Sequence, residues 1–287
     1  MIRLAVVSGK GGTGKTVLTG AIAHLCNRPR VMVDCDVDAA NLELLLHPQI
    51  LERKDFAGME AACIDTTQCT ACGICSDACR FDAIRIHDGD YAVEAGRCEG
   101  CGVCRLICPA AAVSMQPRVC GEIFYSETRY GNLVHARLVP GAANSGLLVA
   151  EIKKIALSRN GDCDLMLIDG PPGIGCPLIS TITGADQVLV VTEPSVSGLH
   201  DLERVVQVSR SLRATVSVVI NKHDLNPRIS GTIREFCRKE DLVFRGEIPY
   251  DESVMEAVRM ARPVTEDAVP AAEAIHTIWD DISHELW

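Results

Sequence analysis

No stretch of this 287-residue chain is apolar for long enough to cross a membrane as a helix, and basic side chains do not predominate. Lys and Arg number 28 against 38 Asp and Glu, a formal net charge of −10. The first absence excludes membrane insertion through a helix, and the second disfavours broad electrostatic binding to nucleic acid or to an anionic membrane. The stretch 271–287 has Glu273, Asp280, Asp281 and Glu285 but neither Lys nor Arg, so anionic lipid would repel it. Its Ile275, Ile278, Trp279 and Ile282 stand at helical spacing and are expected to pack in the core against a sheet. A secretory signal pattern is also missing, because residues 1–8 run straight into a strand and a glycine-rich loop. The fifteen cysteines are therefore expected in a reducing cytoplasm and not in disulfides. The eight histidines show no metal-ligand spacing.

What the chain does have is apolar side chains, 47% of the total, enough for one large domain with a small insertion. Short β-branched runs at 2–7, 31–33, 165–168, 188–191, 216–220 and 243–244 alternate with stretches of helical character. Such alternation predicts an α/β fold, a mostly parallel sheet covered by helices on both faces. Between residues 57 and 117 the rhythm stops and a cysteine-rich repeat takes over. The predicted organisation is a split domain, 1–56 with 118–287, carrying a small inserted α+β module at 57–117. After the module, 121–146 is expected to form a hairpin-like excursion before a helix near 147–158.

The inserted cysteines are Cys69, Cys72, Cys75 and Cys79, then Cys98, Cys101, Cys104 and Cys108, the same gaps twice over. This is the spacing of bacterial two-cluster ferredoxins, in which the fourth cysteine of each run ligates the other cluster. On that rule Cys69, Cys72, Cys75 and Cys108 hold one [4Fe–4S] cube, and Cys98, Cys101, Cys104 and Cys79 hold a second. Gly73, Gly100 and Gly102 suit the tight loops. Pro109 follows Cys108 as the pattern expects, whereas Arg80 stands where a proline would follow Cys79. Four-thiolate zinc sites also use short Cys-x-x-Cys spacing, but seldom three cysteines at this rhythm.

A second motif opens the chain. Gly9-Lys10-Gly11-Gly12-Thr13-Gly14-Lys15-Thr16 satisfies the P-loop pattern, and it follows a strand and opens a helix as that motif requires. Its backbone N–H groups would cradle phosphate oxygens at a helix N-terminus. Lys15 is expected to contact the β and γ phosphates, and the Thr16 hydroxyl to ligate Mg²⁺. Asp169, ending an apolar strand, would hold Mg²⁺ through water. Asp36 is the choice for orienting the attacking water. Asp34 and Asp38 are alternatives, with helix capping as their structural role.

Lys10 gives this loop the form of the deviant Walker A motif, and the chain resembles the MinD, ParA, Mrp and nitrogenase iron protein superfamily. The run 33–42, Val33-Asp34-Cys35-Asp36-Val37-Asp38 onward, resembles its switch I. Leu167-Ile168-Asp169-Gly170-Pro171-Pro172-Gly173 resembles its Walker B and switch II. Val191-Thr192-Glu193-Pro194, Val219-Ile220-Asn221-Lys222 and Gly246-Glu247-Ile248-Pro249-Tyr250-Asp251 look like its later strand ends. The match is best to superfamily ATPases with an inserted ferredoxin domain. The resemblance implies a P-loop NTPase fold that binds and hydrolyses ATP. It gives Asn221 a hydrogen bond to adenine, and it has Lys10 reach the partner's nucleotide across an ATP-dependent dimer, with an identical chain or a related ATPase. Cys176 resembles in placement the cluster cysteine of the nitrogenase iron protein, and with Cys120 it could share a third cluster between subunits. Cys26, Cys35, Cys63, Cys163 and Cys237 are expected to be small buried hydrophobes. The chain lacks the C-terminal Cys-x-x-Cys of Mrp-type carriers and the basic C-terminal helix of MinD.

Two functions are compatible with these motifs. One is an energy-coupled redox protein, in which an ATP-driven dimer cycle governs electron transfer through the cubes to a redox partner protein. The other is an assembly or scaffold factor for iron–sulfur or metal-cofactor maturation, or for a multiprotein complex. Eight ligands in a closed module favour permanent cubes over cargo.

Overall fold

The structure is a computed structural model that describes residues 1–142 and 144–287. In chain order the strands are β1 (Ile2–Ser8), β2 (Arg30–Asp34), β3 (Gln49–Phe56), β4 (Met59–Ile64), β5 (Ile84–His87), β6 (Asp90–Val93), β7 (Val113–Arg118), β8 (Gly121–Thr128), β9 (Gly131–Leu138), β10 (Leu165–Pro172), β11 (Gln187–Thr192), β12 (Thr215–Asn221) and β13 (Val243–Ile248). The helices are α1 (Lys15–Leu25), α2 (Leu42–Leu46), α3 (Ile74–Asp77), α4 (Val103–Ile107), α5 (Ser145–Arg159), α6 (Cys176–Ile182), α7 (Val196–Ser211), α8 (Pro227–Lys239), α9 (Glu252–Arg259) and α10 (Pro270–Leu286).

Nine strands form one sheet in the order β13-β12-β11-β1-β10-β2-β9-β8-β3. From β13 to β9 every neighbouring pair is parallel. The central strands read as unbroken apolar runs because helices cover both faces. Leu4, Val6, Val7, Leu165, Leu167, Ile168, Leu189 and Val190 are each 0% exposed. Helix α10 closes one side of this core with Ile275, Ile278, Trp279 and Ile282, all buried as their spacing predicts. The hairpin expected within 121–146 is β8 and β9, joined by Arg129 and Tyr130.

Strand β3 has no counterpart in the sequence reading. Its residues Gln49 to Asp55 are exposed and largely charged, and it takes the outer edge of the sheet. A charged edge discourages pairing with another chain, and it also removes the apolar pattern by which a strand is read.

The chain divides into two compact units, one of Met1–Arg53, Ile123–Arg137 and Ser145–Trp287, the other of Lys54–Glu122 and Leu138–Asn144. In the smaller unit β4 pairs antiparallel with β7, from Met59 opposite Arg118 to Ile64 opposite Val113, and β5 pairs antiparallel with β6. The internal repeat survives in the backbone. Short helices α3 and α4 each begin on a left-handed glycine, Gly73 at φ 80° and Gly102 at φ 73°. Gly100 is also left-handed (φ 66°), and a Cβ there would stand 2.4 Å from the Glu60 carbonyl oxygen, so no other residue fits.

The central strands set the stability of the larger unit. Leu167→Ala is expected to lower unfolding stability by about 2–5 kcal/mol, measured by urea denaturation followed by tryptophan fluorescence, since both tryptophans (Trp279 and Trp287) lie in α10 or directly after it.

Candidate nucleotide site and cysteine cavities

The glycine loop joins β1 to α1, and its turn needs positive φ at Gly12 (80°) and Gly14 (90°). Parallel register then brings a carboxylate to it. Val6 of β1 lies opposite Asp169 of β10, and Asp169 lies opposite Asp34 of β2. Asp169 is fully buried and Lys15 nearly so. Lys15 Nζ donates to Asp169 Oδ1 at 2.9 Å and to Thr16 Oγ1 at 3.1 Å. The Thr16 hydroxyl donates to Asp169 Oδ2 at 2.7 Å, and that of Thr19, one turn further along α1, donates to Oδ1 at 2.9 Å. Burial works against the charge on Lys15, but the Asp169 carboxylate, assisted by Asp34 and Asp36, outweighs it and raises the lysine above its ordinary pKa.

Asp34 is completely buried beside this pair. Burial first, and the charge of Asp169 second, push its carboxyl up to about 8, although Lys15 and two backbone donors oppose the shift. Those donors are the N–H groups of Asp36 (3.0 Å) and Leu42 (3.1 Å), so Asp34 ties both ends of the segment that leads into α2. Asp36 is half-buried within the field of Lys15 and Asp169, and burial raises its carboxyl pKa. Asp38 is exposed. A lysine, a hydroxyl and carboxylates thus converge at the C-terminal ends of β1, β2 and β10, the donor set that a metal-bound polyphosphate requires.

Lys10 points elsewhere. Its ammonium pairs with Glu193 and donates to Ser195 Oγ (3.2 Å) and Ser197 Oγ (3.3 Å) at the β11–α7 corner. Asn221 reaches the loop from β12. Its amide donates to the Thr13 carbonyl at 2.8 Å, its oxygen accepts the Lys222 N–H at 3.0 Å, and Lys222 Nζ donates to the Gly12 carbonyl at 3.2 Å. In this arrangement Asn221 braces the loop with one N–H of its amide, and the second N–H is left for another acceptor.

Sequence reasoning missed Lys153. This buried α5 lysine donates to three carbonyl oxygens at the end of α6, those of Ser180 (2.7 Å), Thr181 (2.7 Å) and Thr183 (2.8 Å). Helix α6 directly follows the segment after Asp169, and the lysine satisfies the carbonyls its last turn leaves open. Desolvation lowers the pKa of this lysine.

In the smaller unit the eight cysteines of the repeat line two cavities. Cys69, Cys72, Cys75 and Cys108 line one, with Tyr91 and Pro109. Cys79, Cys98, Cys101 and Cys104 line the other, with Phe81 and Met115. Backbone N–H groups point at three of the sulfurs, Ala62 to Cys98 (3.5 Å), Ala83 to Cys79 (3.4 Å) and Ala112 to Cys108 (3.3 Å). Burial raises the thiols of Cys75 and Cys104. Among the described residues no three His, Cys, Asp or Glu side chains gather tightly enough for a single ion.

The remaining cysteines depart in part from expectation. Cys26, Cys35 and Cys237 are buried, but Cys63 and Cys176 are exposed and Cys163 is half-buried. Cys120 is fully buried. Its sulfur accepts the Gly58 N–H at 3.3 Å, and its thiol faces the Phe56 carbonyl at 3.6 Å. A sulfur enclosed in this way is closed to a cluster shared between subunits, which removes Cys120 as a partner for Cys176.

What a loop of this geometry can hold is a run of phosphates, and the parallel sheet beneath it is that of the P-loop nucleotide-binding class. A family model described as CobQ/CobB/MinD/ParA nucleotide binding domain matches residues 4–264. The chain belongs to that family. An uncharacterized protein of Methanocaldococcus jannaschii is 35% identical over 228 residues, 79% of this chain and 80% of its own. The septum site-determining protein MinD of Helicobacter pylori is 31% identical over 144 residues, 45% of this chain and 54% of its own. The MinD structure from Pyrococcus horikoshii complexed with Mg-ADP is similar in fold, with TM-score 0.60 at 20% identity over 98% of this chain and 95% of that one. Among the described residues no helix is long and apolar enough to cross a membrane.

Two substitutions test this electrostatic arrangement. The Asp34 carboxyl has a higher pKa folded than the 3.8 of the free group, so its stabilising contribution is complete below about pH 4 and is lost as pH rises through about 8. Asp34→Asn is expected to flatten that decline in melting temperature, and parallel pH profiles for variant and parent would contradict the assignment. Lys153→Met, which strands three carbonyls, is expected to cost about 2–4 kcal/mol in thermal unfolding.

Proposed function

We propose that this protein binds and hydrolyses ATP in a dimer cycle coupled to electron transfer through two [4Fe–4S] clusters in its smaller unit. The observation that carries the reading is the crossed lining of the cavities, three cysteines of one run with the last cysteine of the other, twice. Such crossing is the ligation rule of two-cluster ferredoxins, and only the folded chain could bring those quartets together.

The donor chemistry fits. Each cavity offers four thiols and at least one N–H group aimed at sulfur, the kind of hydrogen bond that tunes a cluster. A cube spreads its four ligand sulfurs over its corners, more widely than ligands around one ion, so the lack of a single-ion cluster is consistent with it. The small unit also has little packing of its own. Its buried apolar side chains are mostly small, among them Ala62, Ala83, Ile84, Ala112 and Val113, and a module of this size ordinarily needs a metal or other staple at its centre. When bound, the clusters supply one-electron redox chemistry, and Cys69, Cys72, Cys75, Cys108 and Cys79, Cys98, Cys101, Cys104 would hold them.

At the nucleotide site the chain's own groups divide the work. The loop N–H groups and Lys15 bind and neutralise phosphate oxygens. Thr16 and, through water, Asp169 would hold Mg²⁺, which supplies further charge neutralisation. Asp36, half-buried in the segment after β2 and within the field of Lys15, orients the attacking water. Asp34 fixes that segment from below. In the dimer Lys10 would exchange its Glu193 contact for the partner's nucleotide, with an identical chain or a related ATPase on the other side. Lys153 links the segment after Asp169, through α6, to α5, the helix that in the chain follows Leu138–Asn144 of the smaller unit. Helix α5 is thus a covalent route by which nucleotide-dependent movement could bias the cluster-bearing unit.

Anaerobically purified protein is expected to be brown, with about eight irons per chain, and colourless iron-free material would end the cluster reading. Lys15→Ala is expected to abolish ATP hydrolysis without loss of iron. Reduction potentials with ADP, with a non-hydrolysable ATP analogue and without nucleotide are expected to differ. Equal potentials together with rapid cluster transfer to an apo-acceptor would point to the assembly role.

A further inference from the structure

We propose that the exposed face around the quartet Cys79, Cys98, Cys101 and Cys104 is a docking surface for an acidic electron-carrier protein. The inference rests on the two-cluster reading and goes beyond it by choosing one of the two quartets and the charge of the partner.

The internal repeat provides its own control. Cys72-Gly73-Ile74-Cys75-Ser76-Asp77-Ala78-Cys79-Arg80-Phe81 matches Cys101-Gly102-Val103-Cys104-Arg105-Leu106-Ile107-Cys108-Pro109-Ala110 position by position. The crossed lining puts the segment after Cys79 beside the second quartet, with Phe81 and Val103 in the wall of one cavity. It puts Pro109 and Ala110 in the wall of the other. In the chain Arg80 and Phe81 follow Cys79, and Arg105 and Leu106 follow Cys104, both cysteines of the second quartet; at the matched positions Pro109 and Ala110 follow Cys108, and Ser76 and Asp77 follow Cys75, both of the first. Every substitution between the half-repeats at these four positions puts a cation or a large apolar group next to a cysteine of the second quartet.

Exposure agrees with a contact role. Leu106 is 84% exposed and Phe81 40%, where the first quartet has Asp77 and Ala110, whereas Val103 (41%) is matched by Ile74 (44%) and so is apolar and exposed in both halves. The two unmatched side chains carry a cost in water that a folded unit has no internal reason to bear. Arg80 and Arg105 are exposed as well. Arg85 and Arg97 of the same unit are paired with Asp82 and Glu94, whereas among the described residues neither Arg80 nor Arg105 has an ion pair or a side-chain hydrogen bond. Glu99 lies on the wall of this cavity and offsets one of the two cations, leaving the face positive on a chain of net charge −10.

An apolar centre with unpaired arginines at its edge is the composition of a protein interface, and its charge selects an acidic partner and speeds encounter with it. Arg80 is the residue that departs from the proline of the ferredoxin pattern, and the docking role gives that departure a reason. A second copy of the chain would have to set arginine against arginine in a two-fold contact. Docking leads only to one electron passing between a reduced and an oxidised partner, with no bond made or broken.

The test uses the full, cluster-loaded chain with an acidic flavodoxin as probe and basic cytochrome c as its counterpart. Flavodoxin is expected to bind in preference, and to weaken at least about tenfold between about 0.05 M and 0.5 M salt. Arg80→Glu with Arg105→Glu is expected to weaken it by at least about tenfold, and Leu106→Ser in the same direction. Asp77→Ser and Pro109→Ala, at matched positions by the first quartet, should leave it unchanged. Iron content is measured for every variant, and if the double variant loses iron, Arg80→Ser and Arg105→Ser take its place with the same expectation. Unchanged flavodoxin affinity in iron-replete variants would overturn the proposal. So would equal binding of cytochrome c, or a fall in oligomeric state caused by Leu106→Ser. Iron-free parent protein would instead defeat the underlying two-cluster reading.

Discussion

The buried pair of Lys15 and Asp169 is the constraint around which the larger unit is organised. A lysine this far from water keeps its charge only because a carboxylate stands 2.9 Å away, and removal of either partner would leave an isolated buried charge, a loss of about 3–5 kcal/mol. Thr16 and Thr19 satisfy the remaining lone pairs of Asp169. Asp34, its register neighbour, is driven toward its neutral form first by its own complete burial and then by the negative charge of Asp169. The register thus sets two buried acids side by side on neighbouring strands, and the charge stays on the one that Lys15 pairs.

The smaller unit is organised by a different constraint, backbone geometry. Left-handed glycines at 73, 100 and 102 let each cysteine run curl so that its sulfurs face inward, and β4 with β7 closes the repeat on itself. The unit has little apolar volume of its own, its buried side chains including Ala62, Ala83, Ala112 and Val113. Its surface asymmetry follows from the repeat. The two halves share cysteines and glycines but differ at the positions after Cys79 and Cys104, which carry arginine and large apolar side chains where the matched positions do not.

Much of this was legible beforehand, for identifiable reasons. Strands buried on both faces cannot hide their composition, so 2–7, 165–168 and 188–191 declare themselves. The P-loop and the cysteine rhythm are local patterns whose chemistry fixes their spacing. Strand β3 escaped because an exposed edge carries charge in place of alternation. Lys153 escaped because its partners are three backbone carbonyls, which leave no mark in composition. The Lys10 contact with Glu193 and the brace from Asn221 to Thr13, 208 residues apart, escaped because each is made at the meeting of distant strand ends.

By itself, then, the sequence determined the fold class, the phosphate loop and which cysteines belong to which run, because each depends on residues a few positions apart and on the periodicity that burial imposes. Tertiary structure alone decided which carboxylates share a register, which lysine caps which helix, and which side chains surround each quartet. Those are properties of separations in space, and they come into being only when strands far apart in the chain are laid side by side.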